Sequence, residues 1–334
     1  MYFSMFCKNL ASLYKNYDAF LIDMYGVLWD GGDFFKGALA LLAEMKSQGK
    51  KLMILSNTTL TAEQCRSKYQ AKGLRKGVHF DTFISSGEAF RRTLKNHIGN
   101  ANTYFSAFLP NTDIFENSNL TRVDTIEQAD FVYVGNVNAN KIYFADCLKN
   151  KRGTSIPMED LTSFDYHNID DFDEITDILD LCLKYHKTLV IANPDIFALE
   201  AIGSGASLER RPVLCQGAIG EMYENRGGKV VYFGKPYQAI YDYAKQFIQP
   251  SEKVAMIGDT LWTDILGGNI AGYDSILTLS GVVGRFIEKL LPSVSQSNIT
   301  DCINVVLRTI STKMTHKNLL PFSQIPTHIV ETFA

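Results

Sequence analysis

The sequence predicts an α/β fold: a doubly wound parallel sheet forming a core domain that is split in the chain by an inserted second α/β domain. Three observations carry this. Over about the first ninety residues, apolar runs of strand length alternate with amphipathic segments of helix length, the pattern of parallel strands covered by helices on both faces. The same rhythm returns late in the chain. Between them, from residue 88 to 229, the alternation loosens, which assigns 1–87 and 230–334 to the core and 88–229 to the insert.

Taken in order, "MYFSMFCKNLASLYKNYD" places Leu10, Leu13, Tyr14 and Tyr17 on one face of a short docking helix. Strand "FLID" follows, then helix "GALALLAEMKSQG" with a glycine stop and strand "KLMILSN". Helix "TAEQCRSKYQAKG" also stops on glycine and leads to strand "TFISSG". In the insert, "FVYVGN" and "TLVIANPD" read as strands, and the acid-rich "MEDLTSFDYHNIDDFDEITDILD" reads as a solvated helix face, since a metal site needs convergent acids. Late in the chain come "KVVYFG", helix "PYQAIYDYAKQFI", strand "KVAMIGD", helix "TDILGGNIAG" and strand "SILTLSG".

Bulk properties exclude several classes of function. With 33 Lys plus Arg against 36 Asp plus Glu and a net charge of -3, there is no concentrated basic character for nucleic acid. No apolar run is long enough to span a bilayer, and the N-terminus lacks the apolar centre of a signal peptide, so a cytoplasmic protein away from membranes is expected. The 6 cysteines show no C-x-x-C pair and no mixed cluster with histidine, so free thiols in a reducing compartment are expected rather than disulfides or zinc.

Ligands of open parallel sheets bind beyond the carboxyl ends of the strands. Polar groups stand there at four places. Asp23 ends the first apolar run. Ser56 offers a hydroxyl, and the turn after it, Asn57-Thr58, offers backbone N–H groups at a helix start, a ready anion site. Lys235 enters just before Pro236, expected to open a helix. Asp259 sits at a strand tip and Asp264 early in the next helix. Each alone has an ordinary structural explanation as turn residue or cap; together, in this order, they describe a phosphate site. Three carboxylates around an anion require a hard cation, which predicts Mg2+. Asp23 would attack phosphorus to form an aspartyl-phosphate, with Lys235 offsetting the repulsion between nucleophile and phosphate.

"DMYGVLWDG", "LSNTT", "GKP" and "GDTLWTD" resemble the four motifs of the haloacid dehalogenase superfamily of hydrolases. "GVLWDG", "ISSGEA", "ANPD" and "YFGKPY" are similar to its class II (IIA) subgroup, which includes p-nitrophenyl, pyridoxal phosphate and sugar-phosphate phosphatases. The resemblance spans roughly residues 10 to 285 and implies a Rossmann-like core with a large α/β cap as the insert. It also implies a small phosphorylated metabolite as substrate and a homodimer formed through the cap. Position by position, it implies Asp23 as nucleophile and Mg2+ ligand, the Tyr25 carbonyl and Asp259 as further Mg2+ ligands, and Asp264 as either a direct ligand or the residue that orders metal-bound water. Ser56, Asn57 and Thr58 would bind phosphate, Lys235 would steady nucleophile and phosphate, and Asn193 and Asp195 of "ANPD" would lie near the substrate. Read by itself, "NPD" is equally a strand-to-turn. Specificity would come from the cap closing over the site, and the stretch from Val137 to Lys187 looks longer than usual for such caps.

Tyr25 departs from the pattern. Phosphatases of this superfamily usually carry aspartate there, which protonates the leaving oxygen and then activates water. A carbonyl ligand survives any side chain, whereas acid–base function does not, because a phenol is too weak an acid to serve as a base at neutral pH. Asp30 reads as the turning residue of "WDGG" rather than a replacement acid. The sequence therefore predicts a Mg2+-dependent phosphatase of small phosphorylated metabolites, slow or restricted to good leaving groups. Two alternatives stay open: a phospho-metabolite-binding protein with impaired turnover, and a dehalogenase-type hydrolase acting at carbon, whose relatives do carry tyrosine at this place.

Overall fold

The computed structural model describes residues 5–108, 112–116, 118–135, 173–202, 209–290, 299–311 and 315–334. Two compact units emerge: one built from Met1–Ser56, Ala62–Ser85 and Lys235–Ala334, the other from Asn57–Thr61 and Ser86–Gly234. Among the described residues no helix is long and apolar enough to cross a membrane, and Cys7, Cys65, Cys182, Cys215 and Cys302 form no disulfide.

The first unit is organised by a seven-stranded sheet. Its strands are β1 (Met5–Asn9), β2 (Ala19–Ile22), β3 (Lys51–Ser56), β4 (Thr82–Ser85), β12 (Val254–Gly258), β13 (Asp274–Thr278) and β14 (His328–Thr332). They lie in the order β1-β14-β13-β12-β2-β3-β4, and all pair in parallel. From β2 the chain winds outward through β3 to β4, then returns beside β2 and winds the other way through β12 to β14. The order thus reverses between β2 and β12, and such a reversal opens a crevice at the carboxyl ends of the strands.

Local sequence explains the covering helices. Helix α1 (Ala38–Ser47) buries Ala38, Leu41, Leu42 and Met45, one stripe at helical spacing. Helix α2 (Ala62–Gln70) buries Cys65 and Tyr69. Each is followed by a glycine at positive φ, Gly49 and Gly73, as its sequence predicts. The segment after β12 begins as a π-helical turn, Leu261–Ile265, before turning α-helical at Leu266–Ile270.

The N-terminus differs from expectation. Leu10, Leu13, Tyr14 and Tyr17 are all buried, but on two single 3-10 turns, Leu10–Ser12 and Tyr14–Asn16, not on a docking helix. The reason is the preceding strand: Met5 to Asn9 pairs with β14, and the Asn9 side chain accepts from the Ala11 N–H at 3.2 Å, so the chain turns at once.

In the second unit β5 (Thr103–Ala107), β6 (Thr121–Arg122), β7 (Phe131–Val134), β8 (Thr188–Ile191) and β11 (Lys229–Tyr232) form a five-stranded parallel sheet in the order β11-β8-β7-β5-β6. An antiparallel pair, β9 (Phe197–Ile202) with β10 (Glu209–Leu214), accompanies it. "KVVYFG" reads in sequence as part of the first sheet's rhythm, yet its strand pairs with Thr188–Ile191 here, because an isolated apolar run carries no signal of which sheet edge it will meet. Phe90 gathers Phe115, Tyr133 and Phe233 at ring-centroid distances of 5.3, 5.5 and 5.2 Å, an edge-to-face core. The acid-rich stretch lies outside the described residues up to 172; from Asp173 to Lys184 it is a helix burying Ile175, Leu179 and Cys182, with Asp177 and Asp180 exposed. The long stretch beginning at Val137 likewise lies outside the described residues as far as 172.

The amino ends of β2, β13 and β14 carry a polar cluster with a consequence for stability. The Tyr17 hydroxyl donates to Asp274 Oδ2 at 3.0 Å, so at the 3.0 Å Tyr17–His328 contact His328 Nε2 must be the donor. Its other ring nitrogen, Nδ1, then carries no proton, and it is buried without a partner among the described residues. Burial lowers the His328 pKa; Asp274 opposes and Lys253 reinforces the shift. Below the ordinary value of 6.5 the unfolded chain takes a proton that the folded one resists, so stability falls as pH drops through that region. His328 thus contributes a loss of stability between about pH 7 and pH 5, opposite in sign to that of a buried acid, and His328→Gln should remove it, so that the variant gains melting temperature relative to wild type on acidification in a thermal-shift series. A difference between the two that does not change with pH would show that this ring makes no such contribution.

Candidate active site

The site starts from the register of two strands. Ile22 of β2 pairs with Ile257 of β12, so Asp23 and the Gly258-Asp259 pair leave the sheet side by side. The Asp23 N–H donates to the Ile257 carbonyl at 2.9 Å, carrying the pairing one residue further. The next turn returns Asp264: its Oδ2 accepts from Thr260 Oγ1 at 2.8 Å and from the backbone N–H groups of Asp259 and Thr260, both at 3.1 Å. Asp259 Oδ2 accepts from the Val282 N–H at 2.6 Å. Gly26 approaches so closely that a Cβ there would lie 2.2 Å from Asp259 Oδ2, and its φ of +82° also demands glycine.

Lys235 joins these acids. Its Nζ donates to Asp23 Oδ1, to Asp264 Oδ1 at 2.8 Å and to the Leu55 carbonyl at 3.1 Å. Asp23, Lys235, Asp259 and Asp264 are 7, 3, 3 and 1% exposed. One ammonium therefore faces three carboxylates in a nearly dry site, and ionised acids so placed are costly unless compensated. Burial pushes Asp23 up to about 7, with Lys235 pulling down and Asp264 pushing further up. Burial, then Asp264 and Asp23, raise Asp259 well above the ordinary carboxylate range. Burial alone would lower Lys235, but Asp23 and Asp264 outweigh it and raise its pKa.

This donor set suits a hard divalent cation. Asp23, Asp259 and Asp264 each present an oxygen within 4.8 Å of the others, all ligands are oxygen, and the formal charge of the four side chains is -2 (three carboxylates less one ammonium). The arrangement can hold such an ion and present a nucleophilic carboxylate beside it.

The remaining predicted residues fall as follows. Ser56 ends β3, is 4% exposed, and its hydroxyl has no hydrogen-bond partner among the described residues. In the second unit, Asn57 Nδ2 donates to Asp195 Oδ1 at 2.9 Å and Asn193 Oδ1 accepts from the Asp195 N–H at 3.0 Å. The Thr58 carbonyl accepts from Ser86 Oγ at 2.8 Å and the Gly87 N–H at 3.1 Å. "NPD" thus ties its aspartate to the Asn57 side chain. Pro236 does not open a helix: the helix begins at Gln238. Asp30 Oδ1 accepts from the N–H groups of Gly32 and Asp33, both at 2.8 Å, which makes it a turn residue. The Tyr25 side chain is 42% exposed and its hydroxyl accepts from Lys68 Nζ at 3.2 Å.

Sequence reading missed Thr260, Val282 and Tyr241. Thr260 stands inside "GDTLWTD", so its motif flagged it; Val282 acts through its backbone and leaves no trace in side-chain type. The Tyr241 hydroxyl is buried without a partner among the described residues, and its pKa is raised by burial first, with Lys235 opposing and Asp264 and Asp23 adding to the rise.

Comparison with known proteins fits this geometry. A family model described as haloacid dehalogenase-like hydrolase matches residues 20–120, and one described as HAD-hydrolase-like matches residues 232–296. Phosphoglycolate phosphatase 2 of Arabidopsis thaliana is 23% identical over 320 residues, covering 90% of this chain and 96% of that protein. Among solved structures, a possible sugar phosphatase of the HAD superfamily from Cytophaga hutchinsonii superposes with a TM-score of 0.64 at 21% identity, covering 98% of both chains. A p-nitrophenyl phosphatase from Archaeoglobus fulgidus superposes with a TM-score of 0.57 at 19% identity, covering 88% of this chain and 92% of that one. Both family models fall on the segments that supply Asp23, Ser56, Lys235, Asp259 and Asp264, and in these segments the chain matches the haloacid dehalogenase-like hydrolases.

Proposed function

We infer that this chain is a Mg2+-dependent phosphatase of small phosphorylated metabolites, working through an aspartyl-phosphate on Asp23. The observation that carries the reading is the buried cluster of three carboxylates, Asp23, Asp259 and Asp264, in which Lys235 pairs with Asp23 and Asp264. Relatives named as phosphoglycolate, sugar and p-nitrophenyl phosphatases support the substrate class.

An Asp23 oxygen would form the new bond to phosphorus as the ester P–O bond breaks and the leaving oxygen departs. Water would then attack the phosphorus, releasing phosphate and restoring the carboxylate. Lys235 holds Asp23 Oδ1 and favours its ionised form. Ser56, whose hydroxyl is uncommitted, is placed to donate to a phosphoryl oxygen. Mg2+, held by Asp23, Asp259, Asp264 and the Tyr25 carbonyl, would supply positive charge against the phosphoryl oxygens. No carboxylic acid stands at residue 25 to protonate the leaving oxygen, so leaving groups that depart as stable anions should react fastest. Cysteines that form no disulfide fit a reducing, cytoplasmic setting.

The test is turnover of p-nitrophenyl phosphate and of alkyl phosphates, with and without Mg2+, beside Tyr25→Asp. Wild type should need the ion and favour the aryl ester strongly. Restoring the acid should raise alkyl turnover by roughly 10²-fold, the low end for positioned proton transfer. Halide release from haloacids without Mg2+ would replace this reading with displacement at carbon. Tight, Mg2+-dependent phosphate-ester binding with no product would replace it with a binding role.

A further inference from the structure

The chemistry proposed above leaves one cation beside the nucleophile's loop unused. Lys68, in α2, is exposed, and no carboxylate pairs with it among the described residues. Lys72, one turn further on, is paired with Asp33 at 2.9 Å. Lys68 is nevertheless held in place: besides donating to the Tyr25 hydroxyl at 3.2 Å, its Nζ stands 5.8 Å from the Tyr25 ring centroid and 5.1 Å from that of Tyr69. Tyr25 stands two residues beyond Asp23 in the chain and is itself exposed, so Lys68 lies against the loop that carries the nucleophile and is open to solvent.

A lysine side chain normally spreads its charge over many rotamers and must be ordered before it can bind an anion. Two rings and a hydroxyl have already confined this one. Tyr25, where the superfamily's acid would stand, instead positions an unpaired ammonium.

We propose that Lys68, positioned by Tyr25, binds a second anionic group on the leaving portion of the substrate, so that the preferred substrates are phosphate monoesters carrying a carboxylate or another phosphate near the ester oxygen. This deepens the phosphatase reading and rests on it. An ammonium is a point charge without the planar fork of arginine, so it suits either anion.

The experiment uses the full chain with Mg2+ and three esters of similar size: ethyl phosphate, 2-phosphoglycolate and ethylene glycol bisphosphate, with p-nitrophenyl phosphate as a measure of the chemical step. Wild type should show kcat/KM for at least one doubly anionic ester about tenfold or more above that for ethyl phosphate, as expected for a hydrogen bond to a charged group. Lys68→Met should erase that preference through KM rather than kcat, and Lys68→Arg should keep it. Which of the two esters loses its advantage identifies the anion as carboxylate or phosphate. A wild type without the preference, or a preference that survives Lys68→Met, overturns the proposal. If p-nitrophenyl phosphate and every other ester go unhydrolysed, the phosphatase reading itself fails and takes this one with it.

Discussion

Asp23→Asn is expected to lower turnover of p-nitrophenyl phosphate by on the order of 10⁴-fold or more, because an amide cannot form the phosphorylated intermediate and removal of a covalent nucleophile costs on that scale. The same substitution should make the protein more stable. Asp23 is pushed up to about 7 from 3.8 by burial, so between those values the folded chain holds a proton that the unfolded chain has lost. Stability therefore declines as pH rises through that window, and at about pH 8 the ionised carboxylate is a net burden on the ion-free fold. The amide of the variant carries no such charge. Chemical unfolding near pH 8 without divalent ions should show the variant with the higher midpoint, and added Mg2+ should raise wild type by more than the variant. Full activity in Asp23→Asn would assign the nucleophile elsewhere. A lower midpoint would mean that Asp23 stabilises the fold instead of straining it.

Lys235→Met is expected to cost about 3–5 kcal/mol, the range for removing one partner of a buried ion pair, out of a total stability of about 5–15 kcal/mol for a typical domain. Methionine keeps most of the apolar stem and removes the charge, leaving Asp23 and Asp264 without their cation. The sign is set by the raised lysine pKa. Its stabilisation is fully present at every pH below the ordinary 10.5 and declines only above it, so the loss should be complete at neutral pH. Urea midpoints should fall for Lys235→Met and recover in part in Lys235→Met with Asp23→Asn, since the double change also removes an orphaned acid. An additive double variant would show that the two side chains do not act as a pair.

Much of this arrangement is legible in the chain because each acid follows a strand written in apolar letters. "AFLI" and "VAMIG", set in an alternation with amphipathic helices, read as buried parallel strands, and that places Asp23 and Asp259 at their tips. Lys235 is legible from "GKP", though nothing there says that it joins Asp264 as well as Asp23. Less was visible at the edges. Met5–Asn9 and His328–Thr332 are short, and they become strands because each offers the other a parallel edge; two segments at opposite ends of a chain leave no periodic trace of pairing. Tyr25 is the clearest case in the site. Its identity already removes the usual acid, but the hydroxyl's engagement with Lys68 depends on how the loop after β2 lies against α2.

Burial and alternation are written residue by residue, so the apolar runs alone establish a parallel α/β sheet with carboxylates at its strand ends. Partnership is a property of distance. Only folding brings residues 23, 235, 259 and 264 into one dry site and assigns Lys229–Tyr232 to the second sheet. The physical reason is that a strand's neighbours and a charge's partners are set by long-range register, in which a segment and the groups it meets are separated by tens to hundreds of residues.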